Sequence, residues 1–138
     1  MREFITGNET EVLNNTNNTP TTAFVIVESE KGYMLLRNKY RHVWELTGGM
    51  IDAGESPKEC AIRECKEESN QSISLLKFVG VARYDTMNAA VYHSFLTQEE
   101  PFMENSEIEN LCWWKPGEEL DGLDLYSAEL IQLYNAAI

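Results

Sequence analysis

The stretch GGMIDAGESPKECAIRECKEESNQ, residues 48–71, carries the strongest helix signal of the chain. The tetrapeptide SPKE at 56–59 matches a capping box with proline at the first helical position. It predicts a helix from Pro57 to about Ser69, followed by Asn70, which tolerates the left-handed conformation that ends many helices. The same stretch concentrates carboxylates that repel one another, namely Asp52, Glu55, Glu59, Glu64, Glu67 and Glu68.

Glu64, Glu67 and Glu68 fall within one arc of this helix, because an α-helix turns about 100° per residue. Like charges at such spacing destabilise an isolated helix. A hard divalent cation, Mg²⁺ or Mn²⁺, reverses that effect, because it prefers carboxylate oxygens and commonly bridges phosphates. The spacing predicts that Arg63 points away from this arc. A solvated acidic helix face is the alternative interpretation, and it is the usual one for an isolated E-x-x-E-E pattern.

The sequence predicts strands and one further helix in the remaining chain. Residues 7–20 are polar and rich in turn-forming residues, which indicates a loop or a loosely held arm. We therefore divide the chain into an N-terminal arm, residues 1–20, and one domain, residues 21–138. An amphipathic pattern predicts a helix over 125–138, and apolar runs predict strands at 23–27, 33–37, 73–85, 89–97 and 111–114. This order predicts an α/β fold with a mixed central sheet and a helix on each side.

The composition argues against several classes of protein. The chain has 138 residues, of which 43% are hydrophobic, so it suits one globular domain. Its net charge of −12 argues against a broad nucleic-acid or anionic-membrane surface, since both need clustered Lys and Arg. No apolar run approaches the roughly 20 residues of a membrane span, and the N-terminus lacks a signal core. Three cysteines without metal-ligand spacing indicate reduced thiols and a cytoplasmic location.

The acidic helix and the loop before it resemble the Nudix box. The matching pattern begins at Gly49, continues after five residues with Glu55, and ends after seven more with RECKEE at 63–68. The sequence WELTGG at 44–49 also resembles the family, as does the position of Glu107 six residues before a tryptophan. The resemblance covers residues 21–138 and implies a Nudix-type α/β/α sandwich.

Three positions depart from the family's pattern. Thr47 stands where a Pro often precedes the glycine pair, which predicts a looser loop at that point. Asn70 and Gln71 stand where the box usually ends in Gly and an apolar residue. Because Asn tolerates the left-handed conformation, we expect the helix to end normally. None of these changes removes an implied metal ligand.

The resemblance also implies roles for individual residues. It places Mg²⁺ or Mn²⁺ on three carboxylates and one carbonyl, those of Glu64, Glu67, Glu68 and Gly49. Glu55 and Arg63 would form a charged pair that fixes the loop against the helix. Glu64 and Glu107 are both candidates for the general base that takes a proton from the attacking water. For Glu107 an ordinary surface carboxylate is the alternative, because Glu104 and Glu109 stand close by in the sequence. The implied catalytic residues are thus Glu64, Glu67, Glu107 and Arg63.

Residues just before the box provide candidate contacts with a substrate. Arg37, Lys39 and Arg41 could grip distal phosphates, and an ordinary solvated loop is the alternative. Trp44 could stack on a base, as could Tyr84, Tyr92 and Phe95 further along the chain, and a core position is the alternative for each. We assign no role to the two histidines.

The resemblance implies hydrolysis of a phosphoanhydride in a nucleoside diphosphate linked to another group. The first candidate is a (d)NTP cleaved to the monophosphate and pyrophosphate, as in nucleotide-pool sanitising. Alternatives are ADP-ribose, nucleotide-sugar or dinucleoside polyphosphate hydrolysis and removal of pyrophosphate from RNA 5′ ends. A module that only senses a nucleotide is the non-enzyme alternative. The expected partner is therefore a small nucleotide, with no nucleic acid and no membrane, and a homodimer through the terminal helix or the arm stays open.

Overall fold

The computed structural model describes residues 1–137, which form one mixed β-sheet with helices packed on it. The predicted helix 125–138 is present as far as residue 137, and Ile138 lies outside the described residues. The elements in chain order are β1 (Glu3–Ile5), α1 (Glu9–Asn14), a 3₁₀ turn (Thr16–Asn18), β2 (Thr22–Ser29), β3 (Gly32–Asn38), β4 (Trp44–Glu45), β5 (Thr47–Met50), α2 (Pro57–Ser69), β6 (Lys77–Arg83), β7 (Asn88–Phe95), β8 (Ile108–Trp114) and α3 (Leu125–Ala137).

Strand β2 lies at the centre of the sheet. The strand order is β1-β6-β7-β2-β3-β4, while β5 also pairs with β2 and β8 pairs with β3. β2 and β7 are parallel, in a register that runs from Thr22 beside Ala89 to Glu28 beside Phe95. The other pairs are antiparallel. The predicted mixed sheet is therefore confirmed.

The two faces of the sheet carry separate cores because side chains alternate along a strand. On one face, Val25 and Val27 pack in a cluster with Cys60, Ala61 and Cys65 of α2. On the other face, buried side chains of β2, β3 and β7 pack in a cluster with α3, namely Ile26, Leu35, Val91, Leu130, Ile131 and Tyr134. One long helix thus covers each face, as the sequence predicts.

Helix α2 begins and ends where the sequence predicts. Both hydrogen bonds of the capping box are present: the Glu59 N–H donates to Ser56 Oγ over 3.1 Å, and the Ser56 N–H donates to Glu59 Oε1 over 2.8 Å. Asn70 ends the helix in the left-handed conformation, with φ of 64°. These contacts fix the helix that carries the acidic arc.

The N-terminal segment differs from the loop or loosely held arm that we expected. Residues 7–20 contain helix α1 and the 3₁₀ turn, and β1 adds a strand to the edge of the sheet beside β6. Asn8 caps α1 through its side chain, and Val12 is buried. A helix of six residues is stabilised by capping and packing rather than by its own periodicity, which explains why its polar sequence gave no helix signal. None of the described helices combines the length and apolar character that crossing a bilayer requires.

Candidate active site

Two glycines of β5 bring the chain close to α2. A Cβ atom on Gly49 would lie 2.5 Å from Glu64 Oε1, so any larger residue would displace that carboxylate. A Cβ atom on Gly48 would lie 2.3 Å from the Ala23 carbonyl oxygen, on the strand that β5 pairs with. Gly49 therefore places backbone directly against the first carboxylate of the acidic arc, while Gly48 allows β5 to lie close to β2.

Arg63 lies at the centre of the carboxylates. Its Nε and Nη2 donate to the two oxygens of Glu55 over 2.7 and 3.0 Å, so the expected pair is present and bidentate. Its Nη1 donates to Glu64 Oε1 over 3.0 Å and to Glu67 Oε2 over 3.2 Å. The prediction that Arg63 points away from the arc is thus wrong. The position of a residue around a helix fixes the direction of its Cβ atom, whereas a guanidinium on a long stem can reach back to neighbouring negative charges.

These contacts change the pKa values of the carboxylates and of the guanidinium that make them. The hydrogen bonds from Arg63 lower the pKa of Glu55 to about 2, so this carboxylate stays ionised at neutral pH. The Glu55 and Glu64 carboxylates in turn raise the pKa of Arg63 above its already high value. Burial raises the pKa of Glu64, and the Arg63 guanidinium opposes that rise. Asp52 closes the turn before the helix, since its N–H donates to Glu55 Oε1 over 3.0 Å.

Glu68 is buried and held by the residues that precede the glycine pair. Its Oε1 accepts hydrogen bonds from the Thr47 hydroxyl over 2.6 Å and from the Gly48 N–H over 3.0 Å. Burial raises the pKa of Glu68 to about 8, and these two hydrogen bonds oppose the rise. Thr47 itself is 1% exposed. The expectation of a looser loop at Thr47 is therefore corrected, because its hydroxyl ties the loop to α2.

We expect Thr47→Val to lower the free energy of unfolding by about 1–3 kcal/mol, because valine keeps the shape but leaves a buried carboxyl oxygen short of one donor. Urea denaturation in EDTA measures this change. Thr97→Val, at an exposed threonine outside the site, is the matched control and should change the value by less than about 0.5 kcal/mol. Equal stability of the Thr47 variant and the wild type would show that this hydrogen bond does not hold the loop.

Asn105 positions the loop that carries Glu107. Its side-chain amide donates to the Glu68 carbonyl over 3.0 Å, and its Oδ1 accepts from the Glu107 and Ile108 N–H groups over 3.1 and 3.0 Å. The negative charge of Glu107 contributes to the raised pKa of both Glu64 and Glu68. Sequence reasoning missed Asn105, and its only signal was an amide inside a polar loop.

A cavity of about 560 Å³ opens beside these carboxylates. Glu68 and Glu107 line it next to the backbone of Gly48, and its other acidic lining residues are Glu45, Asp85 and Asp124. The N-terminal segment contributes Met1 and Arg2 to its wall. Its apolar and aromatic part comes from β2, the β4–β5 connection, the β6–β7 turn and α3, through Phe24, Leu46, Tyr84, Met87, Tyr126 and Leu130. The cavity therefore combines carboxylates with aromatic and apolar side chains in one wall.

The candidate substrate contacts do not converge on this cavity. Arg41 lines it, but the guanidinium forms an ion pair with Glu45. Arg37 and Trp44 line a second groove of about 520 Å³, where the guanidinium lies 5.9 Å from the indole centroid. Lys39 is paired with a loop carboxylate, that of Glu104, at 2.9 Å. Of these four residues, Arg41 is therefore the one that lines the cavity together with Glu68 and Glu107.

The donor atoms at this site are of the chemical type that a hard divalent cation prefers. The carboxylates of Glu64, Glu67 and Glu68 and the carbonyl of Gly49 are oxygen donors, the kind that Mg²⁺ and Mn²⁺ prefer. Glycine at 49 leaves room for the Glu64 carboxylate beside the backbone. Within residues 1–137, no three His, Cys, Asp or Glu side chains converge closely enough to form a metal cluster. Arg63 instead supplies the positive charge between Glu64 and Glu67.

Comparison with protein families and sequences identifies relatives of the whole domain. The NUDIX domain family model matches residues 18–134. A protein of Bacillus subtilis (strain 168) that carries the provisional name 8-oxo-dGTP diphosphatase is 34% identical over 98 residues, covering 69% of this chain and 66% of that protein. The NAD-capped RNA hydrolase NudC of Pseudomonas aeruginosa is 28% identical over 102 residues, covering 68% of this chain and 35% of that protein. The chain therefore spans between one third and two thirds of these relatives.

Solved structures share the fold at low sequence identity. The Bacillus subtilis pyrophosphohydrolase BsRppH has a TM-score of 0.73 at 16% identity and covers 98% of this chain and 90% of its own. A MutT NUDIX hydrolase of Burkholderia pseudomallei has a TM-score of 0.66 at 18% identity, with coverage of 83% and 95%. These similarities confirm the predicted α/β/α fold.

Proposed function

Because the chain belongs to the Nudix hydrolase family, we propose that it hydrolyses a phosphoanhydride bond in a nucleoside diphosphate linked to another group. The first candidate is a (d)NTP cleaved to the monophosphate and pyrophosphate, which the name of the Bacillus subtilis relative supports. The observation that carries the proposal is the cavity in which Glu68 and Glu107 of the carboxylate site lie together with aromatic and apolar side chains. Such a lining suits a ligand that has both a charged group and a flat apolar group.

Glu64, Glu67, Glu68 and the Gly49 carbonyl would hold Mg²⁺ or Mn²⁺. When bound, the ion neutralises phosphate charge and makes water more acidic. Arg63 keeps Glu64 and Glu67 in place through its hydrogen bonds, and Glu55 fixes the guanidinium. These side chains therefore form one supporting network between α2 and the loop before it.

In the proposed reaction, a water oxygen attacks phosphorus and the anhydride P–O bond breaks. The proton of that water passes to a carboxylate, and the pyrophosphate departs as the leaving group. Glu64 and Glu107 are the two candidates for this general base. Glu64 of α2 lies against the backbone of Gly49, and Glu107 borders the cavity itself.

The surface chemistry favours a small nucleotide over a nucleic acid. The chain has a net charge of −12, and the three cations before the box are each paired with a carboxylate. Cys60, Cys65 and Cys112 are free thiols, which supports a reducing, cytoplasmic setting. The names of the relatives include an NAD-capped RNA hydrolase and, among solved structures, an Ap4A hydrolase and an ADP-ribose pyrophosphatase, so these substrates belong in the test.

A substrate panel tests the proposal. We expect the protein with Mg²⁺ or Mn²⁺ to release pyrophosphate from at least one (d)NTP, including 8-oxo-dGTP, and to lose this activity in EDTA. ADP-ribose, a UDP-sugar, a dinucleoside polyphosphate, an NAD-capped RNA and a 5′-triphosphate RNA complete the panel. The Glu67→Gln protein, purified in parallel, controls for contaminating phosphatases. If another member of the panel is hydrolysed and no (d)NTP is, the substrate is reassigned to that member. If no member of the panel is hydrolysed, the hydrolase proposal is refuted.

A further inference from the structure

The acidic helix ends in two amide residues that the proposed reaction does not use. Asn70 and Gln71 follow α2 directly, and both side chains reach the loop between β7 and β8. That loop, residues 96–107, has no helix or strand of its own and carries Glu107 near its end. A segment of this length without regular structure needs specific contacts to hold one conformation.

Gln71 binds the backbone of this loop with both ends of its amide. Its Nε2 donates to the Glu100 carbonyl over 2.7 Å, and its Oε1 accepts from the Glu100 N–H over 2.8 Å. The same Nε2 donates to the Ser69 carbonyl over 3.1 Å. Gln71 is 0% exposed. A buried amide is stable only when its polar atoms are bonded, so this loop conformation and the burial of Gln71 require each other.

Asn70 and Asn105 add further attachments. The Asn70 side-chain amide donates to the Pro101 carbonyl over 2.8 Å, next to the Gln71 contact. Asn105 attaches the far part of the loop to the Glu68 carbonyl and bonds the Glu107 N–H. The loop is therefore fixed to the C-terminal end of α2 on both sides of the segment 102–104. The last of these contacts lies directly beside the candidate base.

We propose that Asn70 and Gln71 are positioning residues that hold the 96–107 loop on α2 and so keep Glu107 over the carboxylate site. The inference rests on the proposed function, and in particular on Glu107 as the group that takes the proton. A small displacement of a reacting group lowers the rate strongly, because catalysis depends on its distance and orientation. Loss of both attachments should therefore lower kcat about tenfold, with KM changed by less than about twofold.

Two substitutions remove the hydrogen bonds between the loop and the end of α2 while they preserve the helix end and the size of the buried side chain. Asn70→Gly removes the contact with Pro101 but keeps a residue that adopts positive φ readily, so the helix end is preserved. Gln71→Met keeps a side chain of similar size in the buried site but removes all three hydrogen bonds. Gln98→Met, at an exposed glutamine of the same loop, is the matched control. All variants are assayed well below their melting temperatures, so that unfolding does not contribute to the loss.

The experiment combines amide hydrogen exchange with kinetics on the substrate found in the panel. We expect faster exchange at Glu100 and Glu107 in the Asn70→Gly/Gln71→Met protein and unchanged exchange in α3. The tenfold fall in kcat should appear in the wild-type background and should vanish in a Glu107→Gln background, because both changes act through the same group. The Gln98→Met protein should match the wild type in both readouts.

Three outcomes would overturn the inference while leaving the hydrolase proposal intact. The first is faster loop exchange with unchanged kcat. The second is an equal fall in kcat with and without Glu107, which would mean that the amides act through another group. The third is full activity of the Glu107→Gln protein. Failure of the wild type to cleave any member of the panel would instead refute the hydrolase proposal, and with it the role of Glu107 on which the inference rests.

Discussion

Replacing Glu67 by glutamine is expected to lower kcat at least about 100-fold without unfolding the protein. The side chain of Glu67 is 59% exposed, and its described contact is with Arg63 at 3.2 Å, so folding depends little on its charge. Its oxygens are among the donors proposed to hold the cation. Loss of even an outer partner of a metal ligand typically costs 10–100-fold, so loss of a ligand should cost at least the upper end of that range.

A matched variant separates this effect from a general loss of negative charge. Glu129→Gln makes the same chemical change at an exposed position on α3, away from the carboxylate site, and should retain full activity. Added Mg²⁺ or Mn²⁺ should raise the melting temperature of the wild type and of Glu129→Gln, and raise that of Glu67→Gln less. Full activity of Glu67→Gln would remove this residue from the proposed cation site. A wild type that responds to nucleotide without hydrolysis, together with the same response in Glu67→Gln, would favour a sensing module.

The sequence predicted the parts of the structure that depend on near neighbours in the chain. The bounds of α2 follow from contacts between residues three apart, and Asn70 ends the helix through its own backbone preference. The longer strands β2, β3, β6, β7 and β8 follow from apolar runs in the same way, whereas the short strands β1, β4 and β5 gave no such signal. The Thr47 hydroxyl was misjudged because its partner, Glu68, lies 21 residues away. Such a contact depends on how β5 packs against α2, which local patterns do not report.

The candidate substrate contacts show a similar limit. Arg37 and Trp44 pair across β3 and β4, so both side chains belong to the second groove rather than the cavity. In so acidic a chain, isolated cations find carboxylates of their own, as Lys39 and Arg41 do. The order of charged residues in the sequence therefore identified the basic residues but not the carboxylates with which they form ion pairs. The cavity wall comes from elements far apart in the chain, including Arg2 and Tyr126, and only the tertiary structure brings them together.

The Arg63→Lys variant tests the supporting network itself, and we expect it to lower both stability and kcat. Lysine carries a compact charge that cannot replace a planar fork, so it cannot donate to Glu55, Glu64 and Glu67 at once. Because these groups are partly exposed, the expected loss in the free energy of unfolding is about 1–2 kcal/mol in EDTA, less than full burial would give. The fall in kcat should be about 10–100-fold, since the carboxylates lose their fixed positions.

Urea denaturation with and without Mg²⁺ measures the stability part of this prediction. Arg83→Lys is the matched control, because Arg83 makes an ion pair with Glu3 at the sheet edge and should lose less than about 0.5 kcal/mol. If Arg63 supplies the positive charge between Glu64 and Glu67, a bound cation should partly replace it, so Mg²⁺ should reduce the stability difference between Arg63→Lys and the wild type. An unchanged stability of Arg63→Lys in EDTA would show that the guanidinium contacts do not support the site. A difference that Mg²⁺ leaves the same would show that the stabilising contact is the one with Glu55, whose oxygens take both the Nε and Nη2 bonds.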